Sequence, residues 1–126
     1  MSTGVKDLLA AANASVPKLQ PAQVKELLAQ PDVVVIDVRD LPELQASGKL
    51  RGATHISRGM LEFRADPATP YHDPALQKDK TILLYCASGG RSALAGKALQ
   101  DMGYEKVYNA GGIKELAEAG LEIEPA

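Results

Sequence analysis

The chain has 126 residues, a formal net charge of −2 and a single cysteine, Cys86. This length predicts one domain, spanning residues 1–126, that buries a hydrophobic core without disulfide bonds, and one cysteine with two histidines excludes an internal disulfide and any multi-thiolate metal site. The basic residues are scattered, which argues against nucleic-acid or anionic-membrane partners and leaves small molecules and other proteins.

The amino-terminal segment is predicted to form an amphipathic helix. Apolar residues recur at helical spacing over residues 5–16, and the helix is expected to end before Pro17. We interpret residues 1–17 as a helical extension that packs on the domain, with a dimerisation element as the alternative. The segment has no basic stretch followed by an apolar core, and no apolar run reaches membrane-spanning length. These features predict a cytoplasmic protein, in which a thiol stays reduced.

The next residues predict a helix followed by a buried strand. Pro21 suits the first turn of a helix, and Pro31 interrupts the helical pattern. The uninterrupted β-branched run at residues 33–36 is typical of a strand that is covered on both faces in a parallel sheet. A short helix is then predicted to begin near Leu41.

Residues 55–74 predict the end of a strand, a short helical stretch and a surface loop. His55 is interpreted as a packed residue at a strand end rather than as a catalytic base. One or two helical turns are expected over residues 57–63. Three prolines within residues 66–74 predict an ordered surface loop rather than a domain linker.

Residues 81–103 predict a strand, a tight loop and a helix. Apolar β-forming residues run to Cys86, small residues follow, and apolar residues then recur at helical spacing. Gly89 and Gly90 allow successive backbone N–H groups to face inward, and the helix adds the positive end of its dipole. Such a cradle stabilises a thiolate, with Arg91 as a further cation. A buried, inert cysteine is the alternative, but the glycine pair and the arginine favour a reactive one.

The remaining residues complete an alternating pattern. They predict a strand at residues 105–108, a turn at residues 109–112, and a helix from Ile113 that ends at Gly120. Strands that alternate with short helices imply right-handed crossovers. The predicted fold class is therefore α/β, with a mostly parallel central sheet of about five strands, helices on both faces, and the cysteine loop beyond the carboxyl ends of the strands.

The cysteine loop resembles that of a known family. The sequence Cys86-Ala87-Ser88-Gly89-Gly90-Arg91-Ser92 resembles the active-site loop of rhodanese-like sulfurtransferases, in which a cysteine and the residues after it surround a persulfide sulfur. The resemblance covers residues 19–124 and implies the rhodanese fold. It includes Asp37-Val38-Arg39 and the following Glu43, and it implies a structural ion pair between Arg39 and Glu43.

Other parts of the chain depart from the family pattern. Lys49 stands where the family often has histidine, and Arg51 stands where proline is common. The tryptophan of the last family helix is absent, and Leu116 takes roughly its place. We interpret that position as one that serves packing, so none of these departures removes the chemistry of the loop.

The resemblance implies a sulfurtransferase enzyme. Cys86 would be the catalytic residue: it would take a sulfur from a donor such as thiosulfate, hold it as a persulfide and pass it to a thiol or cyanide acceptor. A protein acceptor is an alternative to a small one, neither nucleic acid nor a membrane is an expected partner, and no metal or organic cofactor is needed. The residues expected to bind the substrate are Ala87, Ser88, Gly89, Gly90, Arg91, Ser92 and Arg58.

Two other functions fit the same residues. A phosphatase or arsenate reductase usually has five residues between its cysteine and arginine, whereas only four lie between Cys86 and Arg91, and no aspartate stands nearby as an acid. A ring that is one residue shorter suits a single sulfur better than a phosphoryl group. A relay module that moves sulfur from one protein to another would use every residue named above.

Overall fold

The structure, a computed structural model, describes residues 2–126; Met1, the first residue of the predicted extension, lies outside them. A single 3-10 turn, Arg58–Met60, lies within this part of the chain. The helices are α1 (Val5–Ser15), α2 (Pro21–Leu28), α3 (Leu41–Ser47), α4 (Leu61–Ala65), α5 (Gly90–Asp101) and α6 (Ile113–Glu118). The strands are β1 (Val33–Asp37), β2 (Lys49–Leu50), β3 (Thr54–His55), β4 (Thr81–Cys86), β5 (Val107–Gly112) and β6 (Ile123–Glu124).

The central sheet is parallel and has the strand order β3-β1-β4-β5. About five strands were expected, and four form. An isolated parallel bridge between Lys18 and Asn109 stands in the place of a fifth strand, beside β5. Because Pro17 has no N–H group and Pro21 begins α2, this segment is too short to form a regular strand. The remaining two strands, β2 and β6, form a separate antiparallel pair.

The sheet is covered by helices on both faces, which confirms the predicted α/β class. Along β4, Ile82 and Leu84 belong to the same buried cluster as residues of α4 and α5, whereas Leu83 and Tyr85 belong to a second cluster with residues of α2 and α6. This alternation follows from the period of two in a strand. Since both sets are apolar, β4 reads as a continuous hydrophobic run.

Helix α1 packs against α5. Val16, the residue that follows α1, comes close to α5 at Gly96, where an added Cβ would lie 2.8 Å from Val16 Cγ1. None of the helices in residues 2–126 is long and apolar enough to cross a membrane. The division into one domain with an extension at residues 1–17 stays a prediction.

Two features of the carboxyl-terminal part differ from expectation. The strand predicted at residues 105–108 continues to Gly112, because a β-bulge opposite Leu84 and Tyr85 and a positive φ of 88° at Gly111 carry it through the predicted turn. The two-residue strand β6 was not predicted. Leu116, which stands roughly in the place of the family tryptophan, is fully buried, as its packing role requires.

Candidate active site

Cys86 is the last residue of β4, and α5 begins four residues later at Gly90. The thiol therefore lies at the carboxyl edge of the parallel sheet, as the sequence predicted. Cys86 is only 1 % exposed, whereas Ala87 and Ser88 in the loop above it are exposed. A reactant must therefore reach a sulfur that lies at the base of the loop.

Glycines give the loop its shape. Gly89 has a φ of 100°, in the left-handed region that favours glycine, and its N–H group donates a hydrogen bond of 3.0 Å to Cys86 Sγ. Gly112 of β5 lies directly against the other side of the loop, where an added Cβ would overlap the backbone carbonyl of Ala87. The paired glycines of β5 thus allow this strand to approach the loop closely.

Hydrogen bonds make the thiol more acidic than free cysteine. Burial on its own raises the pKa of Cys86, because it penalises the charged thiolate. The Ser92 hydroxyl and the backbone N–H groups of Ser92, Ser88 and Gly89 act in the opposite direction, and the pKa of Cys86 lies below its ordinary value. The loop is therefore built to hold a sulfur anion.

Arg91 lies at the far end of the loop but is not a free cation. Its Nη1 and Nη2 atoms donate hydrogen bonds of 2.6 and 2.9 Å to the two carboxylate oxygens of Glu43 in α3. This pairing lowers the pKa of Glu43 to about 2, chiefly through the hydrogen bond from Arg91, so the carboxylate is charged at neutral pH. The arginine fixes the start of α5 to α3 and leaves less net charge for an incoming anion than the sequence suggested.

The predicted ion pair between Arg39 and Glu43 is wrong. Arg39 instead contacts Asp37, with 2.7 Å between Nη2 and Oδ2, and both side chains are almost completely buried. It also donates to Ser47 Oγ and to the carbonyl of Gly48, which join the end of β1 to the end of α3. Arg39 has a structural place, as expected, but its carboxylate partner is two residues away rather than four.

Two further residues singled out by the sequence lie outside the loop. Arg58 donates a hydrogen bond of 2.8 Å to Glu62, one helical turn further along the chain, so its role in substrate binding stays a prediction. The Nε2 atom of His55 lies 2.6 Å from the backbone oxygen of Arg39, which fits the packed position expected for this histidine.

Asn109 is a site residue that the sequence analysis missed. It was assigned only to a turn, but its side chain is buried behind the loop and contacts Ser92 Oγ, the Gly89 carbonyl and the Gly111 N–H group. The one available signal was a polar side chain at the end of a β-forming run, directly before two glycines.

Comparison with known proteins places this geometry in a family. The model of the rhodanese-like domain family matches residues 20–119. Thiosulfate sulfurtransferase PspE of Escherichia coli is 37% identical over 82 residues, which are 65% of this chain and 72% of that protein. The tRNA uridine(34) hydroxylase of Synechocystis is 35% identical over 79% of this chain, but the chain spans only 35% of the length of that protein.

Solved structures agree. A Rhodopseudomonas palustris protein of unknown function, described as a possible tyrosine phosphatase, superposes with a TM-score of 0.89 and 42% identity, covering 98% of this chain and 96% of that one. The polysulfide-sulfur transferase homodimer of Wolinella succinogenes superposes with a TM-score of 0.76 and 36% identity, covering 94% and 85%.

Proposed function

The chain belongs to the rhodanese-like domain family, and on that premise we propose that it moves a sulfane sulfur from a donor such as thiosulfate to a thiophilic acceptor through a persulfide on Cys86. The observation that carries the proposal is the convergence of hydrogen-bond donors on Cys86 Sγ, with the Gly89 N–H group at 3.0 Å. This arrangement favours a negative charge at the sulfur before and after transfer.

The reaction balances in two steps. The Cys86 thiolate attacks the outer sulfur of thiosulfate; a new S–S bond forms, the old S–S bond breaks, and its electron pair leaves with sulfite. An acceptor such as cyanide or a thiolate then attacks the terminal sulfur of the persulfide, and Cys86 leaves as a thiolate. Backbone N–H groups that are already oriented stabilise both anionic transition states without reorganisation. The chemistry requires no metal or organic cofactor.

The surroundings of the loop support a small or narrow sulfur donor. Cys86 is 1 % exposed, so a terminal sulfur that is one atom wide can approach it more easily than a tetrahedral group. A cavity of about 420 Å³ beside Ala87 and Ser88 has both lysines and glutamates on its wall, including Lys18 and Lys114. Arg58, which is paired with Glu62, would have to exchange that partner for a donor in order to contribute.

A phosphatase is the second candidate, because a similar structure is described as a possible tyrosine phosphatase. The site argues against it for this chain. Only four residues separate Cys86 from Arg91, and the carboxylate that contacts Arg91 is Glu43, whose pKa of about 2 prevents it from acting as a general acid at neutral pH. We therefore expect negligible hydrolysis of aryl phosphates, and efficient turnover would reverse this ranking.

The tRNA uridine(34) hydroxylases do not change the proposal. The chain spans about a third of the length of these proteins, which is 34% in the Acaryochloris marina protein, so we do not assign hydroxylation to it. A protein-to-protein sulfur relay remains the alternative within the family. Slow turnover with thiosulfate together with rapid loading by a protein persulfide would favour the relay. Because a thiolate nucleophile must stay reduced, we propose a reducing compartment such as the cytoplasm.

Mass spectrometry of the protein after incubation with thiosulfate tests the proposal. We expect a mass increase of one sulfur atom on Cys86, which cyanide removes with release of thiocyanate. The Cys86→Ser protein should not be labelled, because a hydroxyl is a much weaker nucleophile than a thiolate. Sulfur transfer by that variant, or no persulfide with any sulfane donor, would contradict the proposal.

A charge variant tests the contribution of the loop arginine. Arg91→Ala should fold but load more slowly, because the loop itself then offers no side-chain cation to an anionic donor. Arg51→Ala is the matched control, since Arg51 is also paired with a glutamate, Glu122, but lies outside the loop. Equal loading rates for the two variants would assign Arg91 a purely structural role.

A further inference from the structure

A buried pair of side chains, Ser92 and Asn109, lies behind the sulfur. Both are at most 2 % exposed. Asn109 Oδ1 accepts hydrogen bonds from Ser92 Oγ at 2.7 Å and from the Gly111 N–H group at 2.9 Å, while Asn109 Nδ2 donates to the Gly89 carbonyl at 3.0 Å. The amide oxygen and nitrogen of Asn109 thus bind Ser92, Gly89 and Gly111.

The Ser92 hydroxyl has two acceptors but only one proton. Its oxygen lies 2.7 Å from Asn109 Oδ1 and 3.5 Å from Cys86 Sγ. A single O–H group cannot donate to both at once. When it donates to Asn109, a lone pair of Ser92 Oγ faces the sulfur, which suits a thiol that donates its own S–H but does not suit a thiolate.

We propose that Asn109 is a positioning residue that controls the charge state of Cys86 by competing with the sulfur for the Ser92 hydroxyl proton. While Cys86 is a thiol, Ser92 donates to Asn109. When the thiol proton has left to solvent, the hydroxyl rotates about its C–O bond and donates to the sulfur. No proton passes between Ser92 and Asn109, and the Gly111 N–H group still satisfies Asn109 Oδ1.

The backbone of Asn109 is fixed on its outer side. Its N–H group donates to the Pro17 carbonyl and its carbonyl accepts from the Leu19 N–H group, each at 2.9 Å. These partners lie in the segment between α1 and α2, outside the residues matched by the family model. The backbone that carries the competing acceptor is therefore held in place when Ser92 turns to the sulfur.

The charged groups around Cys86 are the same in the unchanged chain and in the Ser92→Ala, Asn109→Ala and double variants. Arg91 from α5 is bound to Glu43 from α3, and the buried Asp37–Arg39 pair lies at the carboxyl end of β1. Beyond β5, Lys18 is paired with Glu115. A change in thiol ionisation that depends on both Ser92 and Asn109 therefore does not arise from these groups.

Direct titration of the thiolate by its ultraviolet absorbance tests the inference, because Cys86 is the only cysteine and Cys86→Ser supplies the blank. The four proteins compared are the unchanged chain, Ser92→Ala, Asn109→Ala and the double variant. Asn109→Ala should move the midpoint to lower pH when Ser92 is present. At a fixed pH below the midpoint, the ratio of thiolate to thiol should rise about 3- to 10-fold, the equivalent of one neutral hydrogen bond.

The same substitution in the Ser92→Ala background separates competition from loop support. There Asn109→Ala removes only the bonds to the Gly89 carbonyl and to the Gly111 N–H group, neither of which involves the sulfur, so the midpoint should stay or move to higher pH. Equal midpoint changes in the two backgrounds, or a rise that occurs only when Ser92 is present, would overturn the inference.

Asn109→Asp provides a second test that keeps the size of the side chain. A carboxylate is a stronger acceptor for the Ser92 proton, so the midpoint should move to higher pH, and by more with Ser92 than with Ala at position 92. If Asn109→Ala fails to fold, the midpoint changes caused by Asn109→Asp with Ser92 and with Ala at position 92 decide alone. Equal changes in the two backgrounds would refute the inference.

The inference rests on the proposed function only for its consequence in catalysis. The titration needs no sulfur donor. If the midpoint change depends on Ser92 but no persulfide forms, the proposed function alone is refuted. If a persulfide forms but the midpoint change does not depend on Ser92, this inference alone is refuted.

Discussion

Replacing Glu43 by glutamine removes the carboxylate that holds Arg91 and should destabilise the fold in a pH-dependent way. A carboxylate pKa lowered from 4.5 to about 2 corresponds at face value to about 3 kcal/mol. The two side chains are 35% and 37% exposed, however, and solvent screens such pairs to about 0.2–1 kcal/mol. Because both carboxylate oxygens are bound, we expect the upper end, about 1 kcal/mol at neutral pH.

The sign of the pH dependence follows from the direction of the shift. A carboxylate whose pKa is lower in the folded protein stabilises the fold above its unfolded pKa, and that contribution is lost as pH falls through the folded pKa. The difference in free energy of unfolding between the unchanged chain and Glu43→Gln should therefore be full at neutral pH and shrink between pH 4.5 and about 2.

Urea unfolding at a series of pH values measures this difference. Glu62→Gln is the matched control, because Glu62 pairs with Arg58 at a surface position within one helical turn and should contribute about 0.3–0.5 kcal/mol. In an Arg91→Ala background, Glu43→Gln should cost almost nothing. A cost that does not depend on pH, or that persists without Arg91, would refute the reasoning.

Two further predictions concern the buried Asp37–Arg39 ion pair and the packing of α5 against Val16. Arg39→Ala should lower the free energy of unfolding, measured in urea, by about 3–5 kcal/mol, because it leaves a buried carboxylate without its partner. Arg51→Ala at the surface should cost less than about 1 kcal/mol, and equal costs for the two variants would contradict the prediction. Gly96→Ala should lower the free energy of unfolding by about 1–3 kcal/mol, because the new Cβ would lie 2.8 Å from Val16, which follows α1. Gly59→Ala is the control, since its Cβ meets nothing within 4 Å. An unchanged stability of Gly96→Ala would show that α1 moves freely.

Local sequence patterns predicted the elements that local chemistry determines. The β-branched run at residues 33–36 and the apolar run that ends at Cys86 form β1 and β4, because each has neighbours that cover both of its faces. Pro21 begins α2, and Gly103, with a φ of 100°, follows the end of α5. In each case the side chains or the backbone freedom of a few adjacent residues decide the conformation.

Contacts between distant residues could not be predicted in this way. Glu43 was assigned to Arg39, four residues away, but it contacts Arg91, which is 48 residues away in the sequence. Nothing in the local pattern distinguishes the two partners, since both are arginines that follow a strand. Only the parallel register of β1 and β4 brings α3 to the start of α5.

The same limit applies to the reactivity of Cys86, which the strand, loop and helix do not generate by themselves. The Gly89 N–H group reaches the sulfur only in a left-handed conformation, and Gly89 packs there against Gly111, with 3.4 Å between an added Cβ and Gly111 Cα. Asn109 holds the Gly89 carbonyl from the same strand. An isolated peptide of the loop lacks β5 and would lose more backbone entropy at its glycines than one hydrogen bond returns. The acidity of the thiol is therefore a property of the folded sheet. We expect the pKa of Cys86 to return to its ordinary value when the domain unfolds cooperatively.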